Sequence, residues 1–399
     1  MNIILFDDHY RTELLPLTFT RTAAQLRIGI DTLAEKWGRL LAEEIEIEIG
    51  AAEISYLTED YLSEKFGVCY SAENIYINAR IIPTIELLES IKKLQEKEVL
   101  FLNDEIIAFK SVEELSYTEV QEIEGTKLVE FDLLLIHHWS DLFIHNGEVL
   151  VADFNQITEG RTSEPIEESN RVIGDNKLIF IESGASVETA ILNTKNGPIY
   201  IGVNAEIMEG SIVRGPFAMG EESTLKCASK IYGPTTLGPH CKVGGEVNNS
   251  ILTGFSNKGH EGFLGNSVIG EWCNLGADTN NSNLKNNYSS VSCYNYTTEK
   301  MEDTGLQFCG LVMGDHAKSG INTMFNTGTV IGVCANVFGG GFPLKHIPSF
   351  SWGGSDGFEK FRLDKAYEVA QRMMERRGMD LSVEDEQILK FIFEHTEID

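Results

Sequence analysis

The sequence has few basic residues, no paired cysteine motif and no long apolar run. Its 399 residues include 32 Lys and Arg against 61 Asp and Glu, a formal net charge of −29. Such a charge argues against nonspecific binding to nucleic acid and against attraction to an anionic membrane surface. Seven scattered cysteines without a CxxC pair favour reduced thiols in a cytoplasmic protein. The N-terminal segment has no basic region and no long apolar stretch, so we expect neither a signal peptide nor a membrane span.

The most informative pattern that is present is an aliphatic residue at every sixth position. A period of six fits neither an α-helix nor a flat strand. It fits a chain wound around a triangular prism, in which one side chain of each hexapeptide points inward. We therefore predict a β-helix, and a β-sandwich with accidental spacing is the alternative. The uninterrupted ladder consists of Ile201, Ile207, Val213, Met219, Leu225, Ile231, Leu237 and Val243.

The ladder continues towards the C-terminus in two further registers. Glycine often follows the aliphatic residue, and we attribute this to backbone angles needed at the corners of the prism. The first of the two registers contains Ile251, Phe263, Ile269 and Leu275, with Asn257 in the gap. The second contains Met313, Phe325, Ile331 and Val337, with Ser319 between them.

The chain divides into four segments by pattern. Residues 1–157 alternate strand and helix signals, which predicts an α/β domain with a mostly parallel sheet. A polar linker at 158–170 leads to the β-helix at 171–350, and an Asn- and Ser-rich insertion at 280–310 breaks its register. Residues 351–399 predict helices at 358–377 and 383–394. In the first domain we predict strands at 2–6, 45–49, 75–77, 99–109 and 147–153, and helices at 30–44 and 84–96.

A polar loop with one histidine interrupts the aliphatic ladder. Residues 257–265 have the sequence NKGHEGFLG, and they are followed by NLGADT at 274–279 and NNSNLKNNY at 280–288. These segments resemble the KAGHxxYLG and NIGAGT motifs in the acetyltransferase half of the bifunctional GlmU family. The resemblance implies a left-handed parallel β-helix, acetyl-CoA as the acetyl donor, and a homotrimer with each acyl site between neighbouring prisms.

The resemblance also implies roles for individual residues. His260 would be the general base that takes a proton from the attacking amine, which suits an imidazole. Glu246 would orient that imidazole. The backbone N–H of Ala277 would stabilise the thioester oxyanion. Asn274 and Asn283 would contact the sugar.

Two substrate-facing residues depart from the family motif. Phe263 replaces a tyrosine and so lacks a hydroxyl, and Asn248 replaces a lysine that contacts the sugar phosphate. Lys230 falls close to a phosphate-binding arginine of the family. The phosphate would then be contacted by Lys258, Lys230 or Lys285, or else the substrate differs.

The N-terminal domain resembles sugar-nucleotide transferases more loosely. Residues 15–18 have the sequence LPLT, similar to the LxPLT of those enzymes, but no glycine-rich phosphate loop precedes them. Positive charge for a nucleotide would instead come from Arg11, Arg21 and Arg27. The Mg²⁺-binding Asp of the family is missing near 77–83, and Asp7 or Asp8 would replace it. Whether this domain is catalytic or only a binding platform is open at this point.

The remaining histidines predict no metal site. The pair at 137–138 has no third ligand at a useful spacing and is expected at a surface strand end. His240 is expected to be structural, and His316 could lie at the site of a neighbouring subunit. The metal ligands are unknown from the sequence.

Three functional hypotheses follow. The first is an enzyme of sugar-nucleotide biosynthesis that acetylates glucosamine-1-phosphate and then uses UTP and Mg²⁺ to make UDP-N-acetylglucosamine, a cell-wall precursor. The second is an acyltransferase for another sugar or sugar nucleotide, with a non-catalytic N-terminal domain. The third is a non-enzymatic β-helix scaffold. In each case we expect a cytoplasmic homotrimer without nucleic-acid or membrane partners.

Overall fold

The computed structural model describes residues 2–44, 54–95 and 97–398. It contains a mixed α/β N-terminal domain, a parallel β-helix and two C-terminal helices, which confirms the predicted fold class. The strand predicted at 45–49 lies outside the described residues. Within the described ranges, every helix is too short or too polar to cross a bilayer.

The N-terminal domain is built on a six-stranded sheet. The strands are β1 (Asn2–Phe6), β2 (Ile54–Leu57), β3 (Asn74–Asn78), β4 (Val99–Leu102), β5 (Glu105–Ser111) and β6 (Lys127–Leu128). Their order in the sheet is β2-β1-β3-β5-β4-β6. The strands β2, β1 and β3 are parallel, whereas β5 is antiparallel to β3 and β4. The helices are α1 (Leu33–Glu44), α2 (Ile85–Lys92), α3 (Tyr117–Val120) and α4 (Trp139–Thr158). Short 3-10 helices cover His9–Leu14, Leu17–Phe19, Ala23–Gln25 and Asp60–Leu62.

Two strand predictions in this domain were wrong. The strand predicted at 99–109 is a hairpin of β4 and β5, because Asn103 and Asp104 both have positive φ, as a tight two-residue turn requires. The strand predicted at 147–153 lies inside α4. Its short apolar run does not distinguish a strand from a buried helix, but the buried residues of the whole helix recur with helical spacing. His138 and Asp141 form a capping box that starts this helix.

The β-helix has three sheet faces and a left-handed path. The first face contains Arg171–Ile173, Ile191–Asn193, Ile212–Arg214, Lys230–Tyr232, Glu246–Asn248 and Phe263–Gly265, and is continued by Asn280–Asn281 and Met324–Phe325. The second face contains Ile179–Ile181, Ile199–Ile201, Phe217–Met219, Thr235–Leu237, Ile251–Gly254, Val268–Glu271, Leu311–Met313, Thr329–Ile331 and His346–Ile347.

The third face contains the shortest strands. Its last parallel strand folds back as an antiparallel hairpin with Gly357–Lys360. The parallel strands are Ser186–Val187, Glu206–Ile207, Thr224–Leu225, Lys242–Val243, Asn257–Lys258, Asn274–Leu275, Lys318–Ser319, Asn336–Val337 and Ser351–Gly354. The last two helices of the chain, α5 (Leu363–Glu375) and α6 (Val383–Glu394), follow this hairpin, and α5 is shorter than predicted.

The predicted ladder forms the interior of the prism. All eight residues from Ile201 to Val243 are at most 1% exposed and belong to one core cluster. Burying each aliphatic side chain stabilises the fold by roughly 1.5–3 kcal/mol. The third register is also correct, since its four aliphatic residues are buried in the same cluster and Ser319 is the direct strand partner of Leu275.

The second register was wrong at Ile251, Asn257 and Phe263. After Val243 the chain turns at Gly244-Gly245, and the next inward residue is Val247, only four positions later. The following inward residue comes after five more positions, so Leu252, Lys258 and Leu264 point inward in place of the predicted residues. Because successive residues of a strand point to opposite faces, Ile251 then faces outward, into the core shared with the N-terminal domain.

The glycines that follow the aliphatic residues serve close packing. Gly202, Gly238, Gly270, Gly276 and Gly332 do not have positive φ. A Cβ at these positions would come within 1.8–2.7 Å of a neighbouring coil, so any side chain would collide with it. The explanation by corner angles was therefore wrong.

The left-handed corner angles between the second and third faces are adopted mainly by larger residues. His240, Phe255 and Trp272 occupy successive corners with φ of +56°, +53° and +59°. Their rings stack at centroid distances of 4.9 and 4.3 Å. The stacking offsets part of the roughly 1–2 kcal/mol that such a backbone angle costs an L-residue.

The N-terminal domain covers the second face of the β-helix. The helix α4 lies along this face, and Leu150 and Phe154 of α4 pack against Phe180 and Ala218. The insertion turns back onto the same side as a hairpin of Ser292–Asn295 and Lys300–Asp303. Asn295 of this hairpin donates a hydrogen bond to Glu13 at 2.8 Å.

The C-terminal helices also join the two halves. Tyr61 of the N-terminal domain stacks on Phe391 of α6 with ring centroids 4.1 Å apart, and Lys65 pairs with Asp385 at 2.5 Å. The corner between the third and first faces, opposite the second face, remains exposed at His260 and Glu261.

Candidate functional site

The first face aligns three residues that were predicted to form the acetyl-transfer site. Lys230, Glu246 and Phe263 are direct partners in neighbouring parallel strands. Adjacent strands lie about 4.8 Å apart, so the three side chains follow one another along the prism axis. Asn248 lies in the next outward column, as the strand partner of Tyr232. Lys230, Phe263 and Asn248, which were predicted to bind the sugar, therefore share one surface with Glu246.

His260 lies beside this surface, on the corner between the third and first faces. It follows the strand Asn257–Lys258, precedes Phe263 and is exposed. We refer to His260, its neighbour Glu261, Lys230, Glu246 and Phe263 as the His260 corner.

The predicted hydrogen bond between Glu246 and His260 is not formed. Neither side chain has a hydrogen-bond partner among residues 2–44, 54–95 and 97–398. Catalytic hydrogen bonds are often loose before a substrate binds and tighten around it. The two groups thus lie on one surface with their polar atoms free.

Lys230 carries an accessible positive charge on the first face. Its ammonium contacts Glu261 at 3.2 Å, and the two side chains are 40% and 64% exposed. A pair this exposed contributes little to stability, and an anionic ligand can compete for the ammonium. Lys285, the other candidate for the phosphate, instead donates to the carbonyl of Ser290 at 2.6 Å.

Lys258 does not lie on the surface, and its predicted contact with a phosphate is wrong for this structure. It is the strand partner of Val243 and is 2% exposed. Its Nζ donates to the carbonyls of Gly244 at 2.9 Å and His260 at 2.7 Å. Because this strand's register places residue 258 inward, the ammonium points into the prism.

Ala277 occupies the corner one coil beyond His260. In the described part of the chain its backbone N–H has no acceptor, whereas the next residue, Asp278, donates its N–H to Glu261 at 3.0 Å. A free and fixed N–H is what an oxyanion needs. Asn274 lies on the third face as a partner of Asn257. Asn283 donates to Asn266 at 2.8 Å, near Phe263.

A second candidate site lies at the carboxyl ends of the parallel strands β1, β2 and β3. The strand order reverses between β1 and β3, because the chain runs from β1 to β2 on one side and from β3 to β4 and β5 on the other. In open α/β sheets, ligands bind at such a point. Asp7 and Asp8 follow β1, and Arg80 follows β3.

Both aspartates are already saturated by internal donors. Asp7 accepts from the Ala23 N–H at 2.9 Å and from Thr58 at 2.6 Å, and it pairs with Arg11 at 3.2 Å. Burial, partly offset by Arg11, raises the pKa of Asp7 to about 6. Asp8 accepts from Asn78 at 2.8 Å and from the Arg80 guanidinium.

These aspartates do not fit a Mg²⁺ site. A hard cation needs free carboxylate oxygens, and those of Asp7 and Asp8 are occupied by an arginine and by N–H and O–H donors. In the described ranges, His, Cys, Asp and Glu side chains form no group of three or more suited to a metal ion.

The three arginines predicted to contact a nucleotide are buried and form ion pairs with other residues of the protein. Arg11 pairs with Glu59 at 2.6 Å and donates to Tyr61 at 2.8 Å. Arg21 pairs with Asp315 and, at 3.2 Å, with Glu271 of the β-helix. Their predicted role was wrong for this arrangement, because each guanidinium is already neutralised.

Arg27, the third of these arginines, joins the two halves of the chain. It donates to the carbonyl of Thr253 in the β-helix at 3.1 Å and pairs with Glu35 at 3.4 Å. Sequence proximity to the LPLT segment suggested a ligand role, whereas both Arg21 and Arg27 bind residues of the β-helix that are more than two hundred positions away.

An aromatic and basic cluster at this edge was missed. The ring of Tyr10 contacts the ring of His9 in a tilted arrangement, with centroids 4.1 Å apart, and lies 4.9 Å from the Arg80 guanidinium carbon. His137 meets the edge of Tyr10 and contacts Glu105 at 2.8 Å. That hydrogen bond raises the pKa of His137. Residues 77–83 lack the Mg²⁺-binding Asp of the family but contain Arg80, and this basic residue after a predicted strand is the sequence signal for the cluster.

The other histidines are structural. His138 caps α4 instead of lying at a strand end. His240 belongs to the stacked corner rings, as expected. His316 lies in the same stack and is buried, and burial lowers its pKa to about 3. Such a buried side chain does not reach a neighbouring subunit, so that expectation was wrong.

Comparison with known proteins supports the assignment of the N-terminal domain. Residues 3–162 match the family model of a sugar nucleotidyl transferase. A search of curated proteins found no match. The matched domain and the β-helix together indicate a transferase of sugar-nucleotide biosynthesis.

Proposed function

We propose that the His260 corner transfers an acetyl group from acetyl-CoA to the amine of glucosamine-1-phosphate. The observation that carries this proposal is the placement of an exposed imidazole beside Lys230 and Glu246, one coil from the free N–H of Ala277. In this proposal Lys230 attracts the sugar phosphate, and Asn274 and Asn283 contact the sugar.

The reaction follows from these positions. The amine nitrogen attacks the thioester carbonyl carbon while His260 accepts the amine proton. The Ala277 N–H donates to the oxygen that becomes negative. Collapse of the tetrahedral intermediate breaks the carbon–sulfur bond, and the CoA thiolate leaves and takes a proton from the imidazolium. Glu246 stabilises the imidazolium in between.

The N-terminal domain is proposed to use the product. The sugar phosphate would attack the α-phosphorus of UTP, form UDP-N-acetylglucosamine and release pyrophosphate. The aromatic ring of Tyr10 would supply a stacking surface at the strand ends, whereas Arg80 is buried and already paired with Asp8 and Glu105. A Mg²⁺ ion would have to arrive with the nucleotide phosphates, and no step is assigned to it.

A second candidate function is favoured by the saturated edge of this domain. Asp7, Arg11 and Arg21 are committed to internal partners, and Asn248 stands where the family has a lysine. An acyltransferase for another sugar or sugar nucleotide, with a non-catalytic N-terminal platform, fits those observations.

Two separate assays decide between these functions. The first measures CoA release from acetyl-CoA with and without glucosamine-1-phosphate, by chromatography, because the exposed Cys69 and Cys227 would react with thiol reagents. The second measures pyrophosphate release from UTP with N-acetylglucosamine-1-phosphate. CoA release with another sugar or sugar nucleotide but not with glucosamine-1-phosphate, together with no pyrophosphate release, supports the second candidate. No CoA release with any sugar phosphate or sugar nucleotide contradicts both.

A homotrimer is part of the proposal. Large apolar side chains are exposed near the last coils, including Ile321 at 69% and Leu344 at 71%. Monomeric proteins rarely expose such clusters. Leu344→Glu should lower the mass measured by light scattering to that of a monomer, whereas Val112→Glu, on the N-terminal domain, should not. An unchanged mass for Leu344→Glu would contradict this interface. A cytoplasmic location stays a proposal.

A further inference from the structure

One interior position of the third face is occupied by a lysine. Strand pairing places Leu225, Val243 and Lys258 in one inward column. The next coil returns to an aliphatic residue, Leu275, which is 2% exposed. The column of inward aliphatic side chains is therefore interrupted by the charged side chain of Lys258.

An ammonium in this position is unfavourable for stability. Lys258 has no carboxylate within salt-bridge distance among the described residues. A buried charge without a paired charge is costly, and an apolar residue of similar volume is often more stable. Burial lowers the pKa of Lys258 to about 8, although the nearby Glu261 opposes that shift. Lys230 lowers this pKa further, and Asp278 raises it.

The contacts of the ammonium point to its role. It donates to the carbonyl of Gly244 at 2.9 Å and to the carbonyl of His260 at 2.7 Å. These two carbonyls belong to corresponding corners of neighbouring coils. The ammonium therefore holds the backbone of His260 to the preceding coil from inside the prism.

Two backbone hydrogen bonds also hold the loop that carries His260, because the Glu261 carbonyl accepts from Asp278 at 3.0 Å and the Gly262 carbonyl accepts from Glu246 at 3.2 Å. The His260 carbonyl between Gly259 and Glu261 is held by the Lys258 ammonium. Residues 259–262 lie between two strands and are not part of either. Gly259 has open space where a side chain would be, and Gly262 has φ of +121°, which glycine adopts freely. A loop with two glycines loses more conformational entropy on ordering than one with larger residues.

We propose that Lys258 is a positioning residue that fixes the main chain of His260 and thereby the place of its imidazole on the corner. This inference rests on the proposed function of His260. Without the ammonium, the glycine-rich loop samples several positions, and the imidazole spends less time where the amine of the substrate lies.

The test compares Lys258→Met with Lys110→Met. Lys110 is the matched control, because its ammonium also donates to two main-chain carbonyls, those of Lys92 at 3.3 Å and Leu94 at 3.2 Å, but in the N-terminal domain. Lys258→Met should lower kcat for acetyl transfer by tenfold or more and change KM for both substrates less than threefold. Lys110→Met should change neither. Thermal unfolding of Lys258→Met should occur at the wild-type temperature or above it.

A second readout does not depend on activity. Hydrogen–deuterium exchange of the Glu246 and Asp278 amides, which donate to the loop carbonyls of Gly262 at 3.2 Å and Glu261 at 3.0 Å, should be at least tenfold faster in Lys258→Met, with wild-type exchange elsewhere in the β-helix. If Lys258→Met does not fold, Lys258→Gln, which keeps a donor, is measured in the same two ways and should show intermediate values.

The outcomes separate the two proposals. Wild-type exchange of the Glu246 and Asp278 amides in the Lys258 variant overturns the positioning role, whatever the activity. Faster exchange in a protein that never releases CoA leaves the positioning of His260 intact and overturns the acetyl-transfer function. Wild-type kcat with faster exchange shows that the fixed loop is not needed for catalysis and also overturns the inference.

Discussion

The carboxyl edge of the N-terminal sheet and the His260 corner both carry charged side chains, but those at the sheet edge are buried and those at the corner are exposed. At the sheet edge, Asp7 and Arg11 are at most 2% exposed and bonded to each other and to neighbours. At the corner, Lys230 and Glu261 form one exposed pair. A ligand at the sheet edge must first displace internal partners, whereas a ligand at the corner displaces mainly water. The corner is therefore the better prepared of the two sites.

The largest effect is expected when the proposed general base is removed from the His260 corner. His260→Ala should lower kcat for acetyl transfer by roughly 10²–10⁴-fold, because general base catalysis is lost. Pyrophosphate release from UTP and the unfolding temperature should stay unchanged. His145→Ala, on α4, is the control and should keep full activity. Acetyl transfer at the wild-type rate in His260→Ala would exclude His260 as the base.

The second test removes the buried positive charge of Arg21. Arg21→Met leaves Asp315 buried without its cation, and we expect a loss of about 3–5 kcal/mol in the free energy of unfolding. Arg21→Met combined with Asp315→Asn should recover part of that loss. Urea denaturation measures both. A loss below about 1 kcal/mol would mean that the tie between the domains contributes little.

The third test uses the pH dependence of Asp7. Its pKa is about 6 in the folded protein and 3.8 as the ordinary value. Below pH 4 both states hold the proton, between pH 4 and 6 mainly the folded state holds it, and above pH 6 neither does. The wild-type free energy of unfolding should therefore fall from pH 4 to 6, relative to Asp7→Asn, by on the order of 2–3 kcal/mol. A flat difference would contradict the raised pKa.

The smallest expected effect concerns the exposed pair at the corner. Lys230→Met should raise KM for glucosamine-1-phosphate by roughly tenfold, about 1.4 kcal/mol of lost binding, and change the free energy of unfolding by less than about 0.5 kcal/mol. The KM for acetyl-CoA should not change. Lys226→Met serves as the control on a neighbouring corner. An unchanged KM for the sugar would remove Lys230 from the phosphate site.

The regular part of the fold could be predicted because one physical constraint repeats. Each hexapeptide must bury one side chain, so Ile201 to Val243 revealed the prism without any other information. The prediction failed where the period changed. Nothing in a single sequence shows that Gly244-Gly245 makes a four-residue corner, and after it Leu252 replaces Ile251 inside.

The site could be predicted in part for a different reason. The motif around His260 keeps its residues within a few coils, so their placement on one surface follows from the repeat. Charged residues of the N-terminal domain could not be placed in this way. Arg21 and Arg27 find their partners in the β-helix, and no local pattern reports contacts over such separations.

Because α4 covers the second face, the position of the N-terminal domain determines how an acetylated sugar phosphate would move between the two candidate sites. In a three-sided prism, the corner that carries His260 is opposite that covered face, so within one chain the two candidate sites are separated by the thickness of the prism. An acetylated sugar phosphate made at the corner would enter bulk solvent before it reached the sheet edge. It would mix freely with the same compound added from outside, and an isotope-dilution experiment would show complete exchange.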